Sequence, residues 1–211
     1  ADLAPEPLFT KIWQSNLLGA ETSRSGPCSE DQATAHLRAE LPVLLQHLGV
    51  RTLLDLPCGD FEWMSRTNLN LDRYIGADIV SELVSRNSAA FATPDGRISF
   101  RKLDLLSDPL PRVDVVLCRD CLVHLSYANI GKAFANLRAS GSTWLIATTF
   151  SEHDQNHDAA DGDWRMLNLE KPPFNLPTPT ALLNEKCEEA GGGYDDKSLG
   201  AWKISDLPES L

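Results

Sequence analysis

Gly59 and Asp78 are spaced along the first half of the chain so as to meet a ligand, and two more acids end apolar runs near them in sequence. Asp55 lies near the end of the apolar run RTLLDL (51–56), and Gly59 follows in LPCGDFEW. Asp78 lies near the end of RYIGADIV (73–80) and Asp104 near the end of RISFRKLDL (97–105). A glycine in the first strand-to-helix turn lets backbone approach a ligand closely, and an acid about twenty residues later can take both hydroxyls of a ribose. The phosphate half of that pattern is missing. GxGxxG needs three glycines where this turn has one, Asp60 would repel a pyrophosphate, and no GxxxxGK[ST] occurs. The turn therefore suits a nucleoside that carries a cation, such as S-adenosylmethionine, and argues against a nicotinamide dinucleotide.

A second group follows the run VDVVLC (113–118). CRDCLVHL places Arg119, Asp120 and His124 together, and on a helical turn residues four apart share a face. His124 titrates near neutrality and is the candidate general base for a hydroxyl acceptor; packing against the next helix is the alternative. Cys118 and Cys121 form a CxxC with no second pair to complete a tetrahedral zinc site, so Cys118 reads as a buried structural thiol. The polar stretch 151–180 supplies Glu152, His153, Asp154, Asn156, His157, Asp158, Asp161 and Asp163. Hard oxygen donors in this number are suited to Mg²⁺ beside Asp120, with Glu152 and Asp154 as the other candidate ligands. A solvated acidic loop is the plainer reading.

Strands and helices must alternate to bring these residues together. Leu37, Leu41, Leu44, Leu45 and Leu48 recur at helical spacing after Ser29 and Gln32, which have capping-box spacing, and Gly49 stops the helix. The runs 51–56, 73–80, 97–105, 113–118 and 142–150 read as strands, with helices at SELVSRNSAAFA and SYANIGKAFANLRAS. The fold class expected is α/β: one doubly wound, Rossmann-like domain over 1–211, with a mainly parallel sheet covered by helices on both faces. Residues 1–29, including Trp13 to Ser29, read as an N-terminal arm. Residues 151–180 read as a substrate lid, because loops this long are rarely idle and Trp164, Met166 and Phe174 favour order. PTALLNEKCEEA reads as one more helix and KSLGAWKISDL as a last strand.

Composition excludes several classes. The 211 residues carry a net charge of −11, the wrong sign for a nucleic-acid backbone or an anionic membrane. No apolar run reaches transmembrane length, and the first residues lack a signal peptide's pattern. Five scattered cysteines fit reduced thiols in a cytoplasm. A cytoplasmic monomer or homodimer with a small-molecule or oligosaccharide acceptor is the expectation.

DLPCGDFEWM, YIGADIV, FRKLDLLSDPLPRVDVVLCRDCLVHLS and STWLIATTF, in this order and spacing, resemble the successive motifs of class I S-adenosylmethionine-dependent methyltransferases. The resemblance spans roughly residues 30–150. The usual first motif of that family is DxGxGxG; here Pro57 replaces the first glycine and Asp60 follows the second. The resemblance implies that Asp55 and Gly59 line the methionine end of the cofactor. It likewise implies that Asp78 holds the ribose hydroxyls, that Asp104 faces the adenine amino group, and that Leu105 supplies backbone beside it. ETSRSGPCS resembles an arm that closes over the cofactor, with Arg24 paired to the methionine carboxylate. Arg119, at the end of the fourth strand, joins the cofactor set.

That arm and GDWRMLNLEKPPFNLP are also similar to small bacterial methyltransferases of polysaccharide or glycoside O-methylation. The expected acceptor is then a hydroxyl of a small polar molecule, with His153, Trp164 and Arg165, followed by Phe174, facing it. The rivals are methylation of a phenol, amine or protein side chain, an NAD-dependent oxidoreductase, and a non-catalytic binding module.

Overall fold

The computed structural model describes residues 4–17, 19, 26, 29–187 and 193–211. Two compact units divide the chain, residues 1–104 and 105–211. Seven strands among the described residues make a mainly parallel sheet.

The first unit holds α1 (Pro5–Gln14), α2 (Ala35–His47), β1 (Thr52–Asp55), the single turn α3 (Glu62–Ser65), β2 (Arg73–Asp78), α4 (Ser81–Phe91) and β3 (Ile98–Lys102). Its strands lie in the order β3-β2-β1. They are parallel, with Asp55 opposite Gly76 and Asp78 opposite Lys102. The expected arm is therefore helical over its first part. Pro5 opens α1, where its fixed φ suits a first helical turn. Trp13 is buried against Val80 and Leu83, with Phe9 and Ile79 packed around them. A Lys102–Glu6 ion pair of 2.5 Å ties α1 to β3. The capping box is also not where the sequence put it. α2 starts at Ala35 behind Thr34, with no side-chain cap. Leu37, Leu41, Leu44 and Leu45 are buried, and Gly49 follows the helix at φ +69°, a conformation that suits glycine after a helix.

The second unit holds β4 (Val115–Cys118), a 3₁₀ turn (Leu122–His124), α5 (Tyr127–Ala139), β5 (Trp144–Phe150), β6 (Ala181–Asn184), β7 (Lys197–Lys203) and a second 3₁₀ turn (Ile204–Asp206). Its strands lie in the order β4-β5-β7-β6. β4 and β5 are parallel; β7 runs antiparallel to both β5 and β6. ALLN is thus a strand rather than part of a helix. Ala and Leu are good helix formers, but propensity is routinely overridden by tertiary context, here the pairing of Ala181–Asn184 along β7. Gly200 is required in β7, because a Cβ there would stand 2.1 Å from the buried Trp202 ring.

The insert 151–180 has no regular secondary structure, yet its backbone is pinned by side-chain amides. Asn156 Nδ2 donates to the carbonyls of Asn168 and Pro172, at 2.9 and 2.8 Å. Asn168 Nδ2 donates to Ser151 and His153, at 3.1 and 3.0 Å. A chain without ladder bonds must satisfy its carbonyls in this way. Phe174 is buried edge-on against Tyr127 and Phe134. It belongs to the core of the second unit, not to a substrate-facing surface.

Candidate active site

In the first unit the site is built on the first strand-to-helix turn. Gly59 stands at φ +55°, so a side chain there would be strained. The Gly59 amide donates to Asp78 Oδ2 at 3.3 Å, and its carbonyl accepts from Asn87 Nδ2 at 2.8 Å. Asp78 Oδ1 accepts from the Val80 amide at 3.0 Å. The acid at the end of β2 thus fixes its own turn and the glycine turn after β1 at once. Burial pushes the Asp78 carboxyl up to about 6, against these amide bonds, which favour the anion.

Asp55 is buried too, accepting a 2.5 Å hydrogen bond from Tyr74 Oη. The Leu56–Pro57 peptide is cis, and Phe61 adopts φ +61°. The Phe61 ring packs 5.0–5.1 Å from Tyr74, Phe91 and Phe100. Gly76 makes room for this cluster, since a Cβ would stand 2.6 Å from the Phe100 ring. Asp104 is half-buried at the end of the unit. Arg24 lies outside the described residues.

In the second unit the chain after β4 turns sharply. Asp120 sits at φ +50°, in the left-handed region that costs a non-glycine residue on the order of 1–3 kcal/mol. Its amide donates to Thr148 Oγ1 at 2.7 Å. Its Oδ2 accepts from Lys197 Nζ at 2.8 Å, and Arg119 Nη1 lies 3.4 Å away. Arg119 also donates to Glu185, the shortest contact being 2.7 Å. Arg119, expected in the cofactor set, thus has its guanidinium in a buried ion pair, and a buried charge needs such a partner. Burial raises the Asp120 carboxyl, but Lys197 and Arg119 outweigh it and hold the group below its usual range.

His124 is on the 3₁₀ turn, not on a regular helix with Asp120. Burial pushes its imidazolium down in pKa, opposed by Asp120, which leaves the ring neutral at pH 7. The insert holds this turn in place. Gly162 donates to His124 O at 2.8 Å, and the Arg165 amide to Val123 O at 3.2 Å. Arg165 Nη1 donates to Leu122 O at 3.0 Å and Nη2 to Leu125 O. Arg165, expected to face an acceptor, thus braces the turn that carries His124.

The acids of the insert also have other work. Asp161 accepts from the Ser126 amide at 2.7 Å and from Asn129 Nδ2 at 2.6 Å, and Asp158 accepts from the Tyr127 amide at 2.7 Å. They close the amino end of α5, where unpaired amides and the helix dipole favour carboxylates. Among the described residues no three His, Cys, Asp or Glu side chains gather as a metal site. Asp120, Glu152 and Asp154 are thus not brought together as ligands. Of the other expected acceptor residues, His153 is half-buried. Trp164 is 43% exposed, with its ring against Phe150 and Tyr194. Leu105 is buried, and its carbonyl accepts from Asn136 Nδ2 at 2.8 Å.

Tyr74, Asn87, Thr148, Glu185 and Lys197 were not singled out from the sequence. The available signal was a charge at the edge of an apolar run: Glu185 ends ALLNE, and Lys197 begins KSLGAW.

The sequence matches no protein-family model and no curated protein. Solved structures do match. Phosphoethanolamine N-methyltransferase 1 of Haemonchus contortus, with phosphoethanolamine and S-adenosylhomocysteine, aligns at a TM-score of 0.64 and 13% identity. That alignment covers 94% of this chain and 49% of that one. The magnesium protoporphyrin IX methyltransferase of Synechocystis PCC 6803, with bound S-adenosylmethionine, aligns at 0.61 and 16% identity over 95% and 98%.

The fold is that of class I methyltransferases.

The methyltransferase domain of bacterial CtHen1 shares it at 0.58 and 14% identity, over 81% of this chain and 98% of its own. The expected α/β class is therefore correct. No described helix is long and apolar enough to cross a membrane.

Proposed function

We propose that this methyltransferase fold is one catalytic domain that transfers a methyl group from S-adenosylmethionine to a hydroxyl of a small polar acceptor. The observation that carries the reading is the Asp78 carboxylate, buried at the end of β2 and bonded to the Gly59 amide. The donor set fits this cofactor. Asp55 and Asp78 are buried carboxylates, and Asp60 lies one residue beyond the glycine. Such a turn attracts a cation and a ribose diol and repels a pyrophosphate. Two of the similar structures were solved with S-adenosylmethionine or S-adenosylhomocysteine, which supports the same cofactor here.

S-adenosylmethionine supplies, when bound, an electrophilic methyl group on a sulfonium. The protein's own task is to align an acceptor oxygen and take its proton. His124, neutral at pH 7 and held on a braced turn, is the base. Asp120 accepts a hydrogen bond from the acceptor and stabilises the imidazolium that forms. A saccharide or glycoside is the acceptor class we favour, because Trp164 exposes an aromatic face of the kind a sugar ring stacks on. The charged side chains here do not fit Mg²⁺, since Asp120 is paired with Lys197 and Asp158 and Asp161 cap α5.

Calorimetry with S-adenosylhomocysteine and with NADH, then labelled methyl transfer to saccharide, glycoside, phenol and amine panels and to protein, tests the reading. The expected outcome is binding of the first ligand alone and EDTA-insensitive transfer to a saccharide or glycoside hydroxyl. Tight NADH binding without S-adenosylhomocysteine binding refutes it, and transfer only to phenols, amines or protein refutes the acceptor class.

A further inference from the structure

The second unit gathers four charged side chains into one cluster, and Asp120 is the most exposed of them. The side chains of Arg119, Glu185 and Lys197 are 6%, 3% and 3% exposed, whereas Asp120 is 23% exposed. Two cations and two anions balance. Lys197 Nζ stands 2.8 Å from Asp120 Oδ2 and 3.7 Å from Glu185 Oε2, and Arg119 bridges the same two carboxylates from its own side.

Burying such a set costs several kcal/mol per ion before pairing, and apolar residues of similar volume are often as stable or more so. The network also ends on a residue in the left-handed region, a second cost that accumulates at functional positions. Its effect is local and directional. Oδ2 is held by Lys197, while Oδ1 accepts from the Thr148 hydroxyl at 3.5 Å, too long to saturate it. One oxygen is thus fixed by the protein, and the other keeps room for a donor.

We propose that Lys197 and Glu185 are positioning residues for Asp120, locking its carboxylate so that Oδ1 accepts a hydrogen bond from the acceptor's hydroxyl beside His124. Lys197 aligns the carboxylate, and Glu185 holds Lys197 and Arg119 in place. The assignment of Oδ1 to the acceptor rests on the methyltransferase reading; the locking of Asp120 does not.

Wild type, Lys197→Met and the charge-balanced pair Lys197→Met with Glu185→Gln test it, with Asp120→Asn and Lys197→Arg as controls. The pair keeps Arg119 opposite Asp120 and so guards against loss of folding in the single variant. In ¹³C-carboxyl titrations, with Asp120→Asn to assign the signal, the Asp120 midpoint is expected to rise by about one unit or more in both Lys197 variants. S-adenosylhomocysteine affinity is expected to stay within about twofold. Turnover with acceptor is expected to fall about 10²-fold, the loss that a misplaced group causes, with partial rescue by Lys197→Arg. An unmoved midpoint in the folded pair variant overturns the proposal, even if turnover is normal. A moved midpoint with no transfer to any acceptor keeps the locking and overturns the methyltransferase reading instead.

Discussion

The Gly59 amide donates to the Asp78 carboxylate across nineteen residues of sequence, so the glycine turn and the end of β2 form one unit. Asp78→Ala is expected to lower S-adenosylhomocysteine affinity about 10²-fold or more by calorimetry, since it removes both the proposed diol acceptor and the brace of the turn. In wild type the carboxyl is raised from 3.8 to about 6. A diol donates to the anion, so affinity is expected to weaken about tenfold per unit as pH falls below 6. The ligand-free protein runs the other way. Its folded state holds this proton more tightly than the unfolded chain, so Asp78's favourable contribution is lost as pH rises from about 4 to about 6. Affinity independent of pH from 5 to 8 would remove Asp78 from the diol.

Asn87 supports the same turn through the Gly59 carbonyl. Asn87→Leu leaves that part-buried carbonyl only the weak Cys58 Sγ donor at 3.6 Å and is expected to cost about 1 kcal/mol. Urea unfolding measures it, and a loss within error means that the bond contributes nothing.

Burial lowers His124, so the neutral base persists to below its ordinary pKa of about 6.5. The ratio kcat/KM for acceptor is expected to be flat from pH 7 upward and to fall on an acid limb below 6.5. His124→Gln should lower kcat about 10²–10⁴-fold with S-adenosylhomocysteine affinity unchanged. A surviving acid limb in that variant assigns the base to another group.

The insert separates structural from acceptor-facing aromatics. Phe174→Ala is expected to destabilise the protein by about 3–5 kcal/mol, as for a buried Phe. Trp164→Ala, on an exposed face, is expected to change acceptor KM with a much smaller loss of stability. Equal losses in urea unfolding would contradict that division.

Asp161 closes α5 with two hydrogen bonds. Asp161→Ala is expected to cost about 1–2 kcal/mol, the range for a lost helix cap. EDTA is expected to leave wild-type stability unchanged; a loss on EDTA treatment would restore the acids as metal ligands.

The sequence by itself determined the parallel core and where the ends of its strands would lie. Short apolar runs separated by helical periodicity leave few arrangements, and a parallel βαβ unit brings the ends of successive strands to one edge. That is why the meeting of Gly59 and Asp78 was legible from their spacing. Only the tertiary structure decided the rest. Lys197 lies 77 residues from Asp120, and Glu185 lies 66 from Arg119. β7 is antiparallel to β5, so its first residue, Lys197, stands opposite Phe150 at the carboxyl end of β5. Local periodicity does not encode strand direction. Nor does it say whether a Phe or Arg in an irregular insert turns outward; Phe174 and Arg165 turned inward because burial of a ring and pairing of turn carbonyls outweigh exposure.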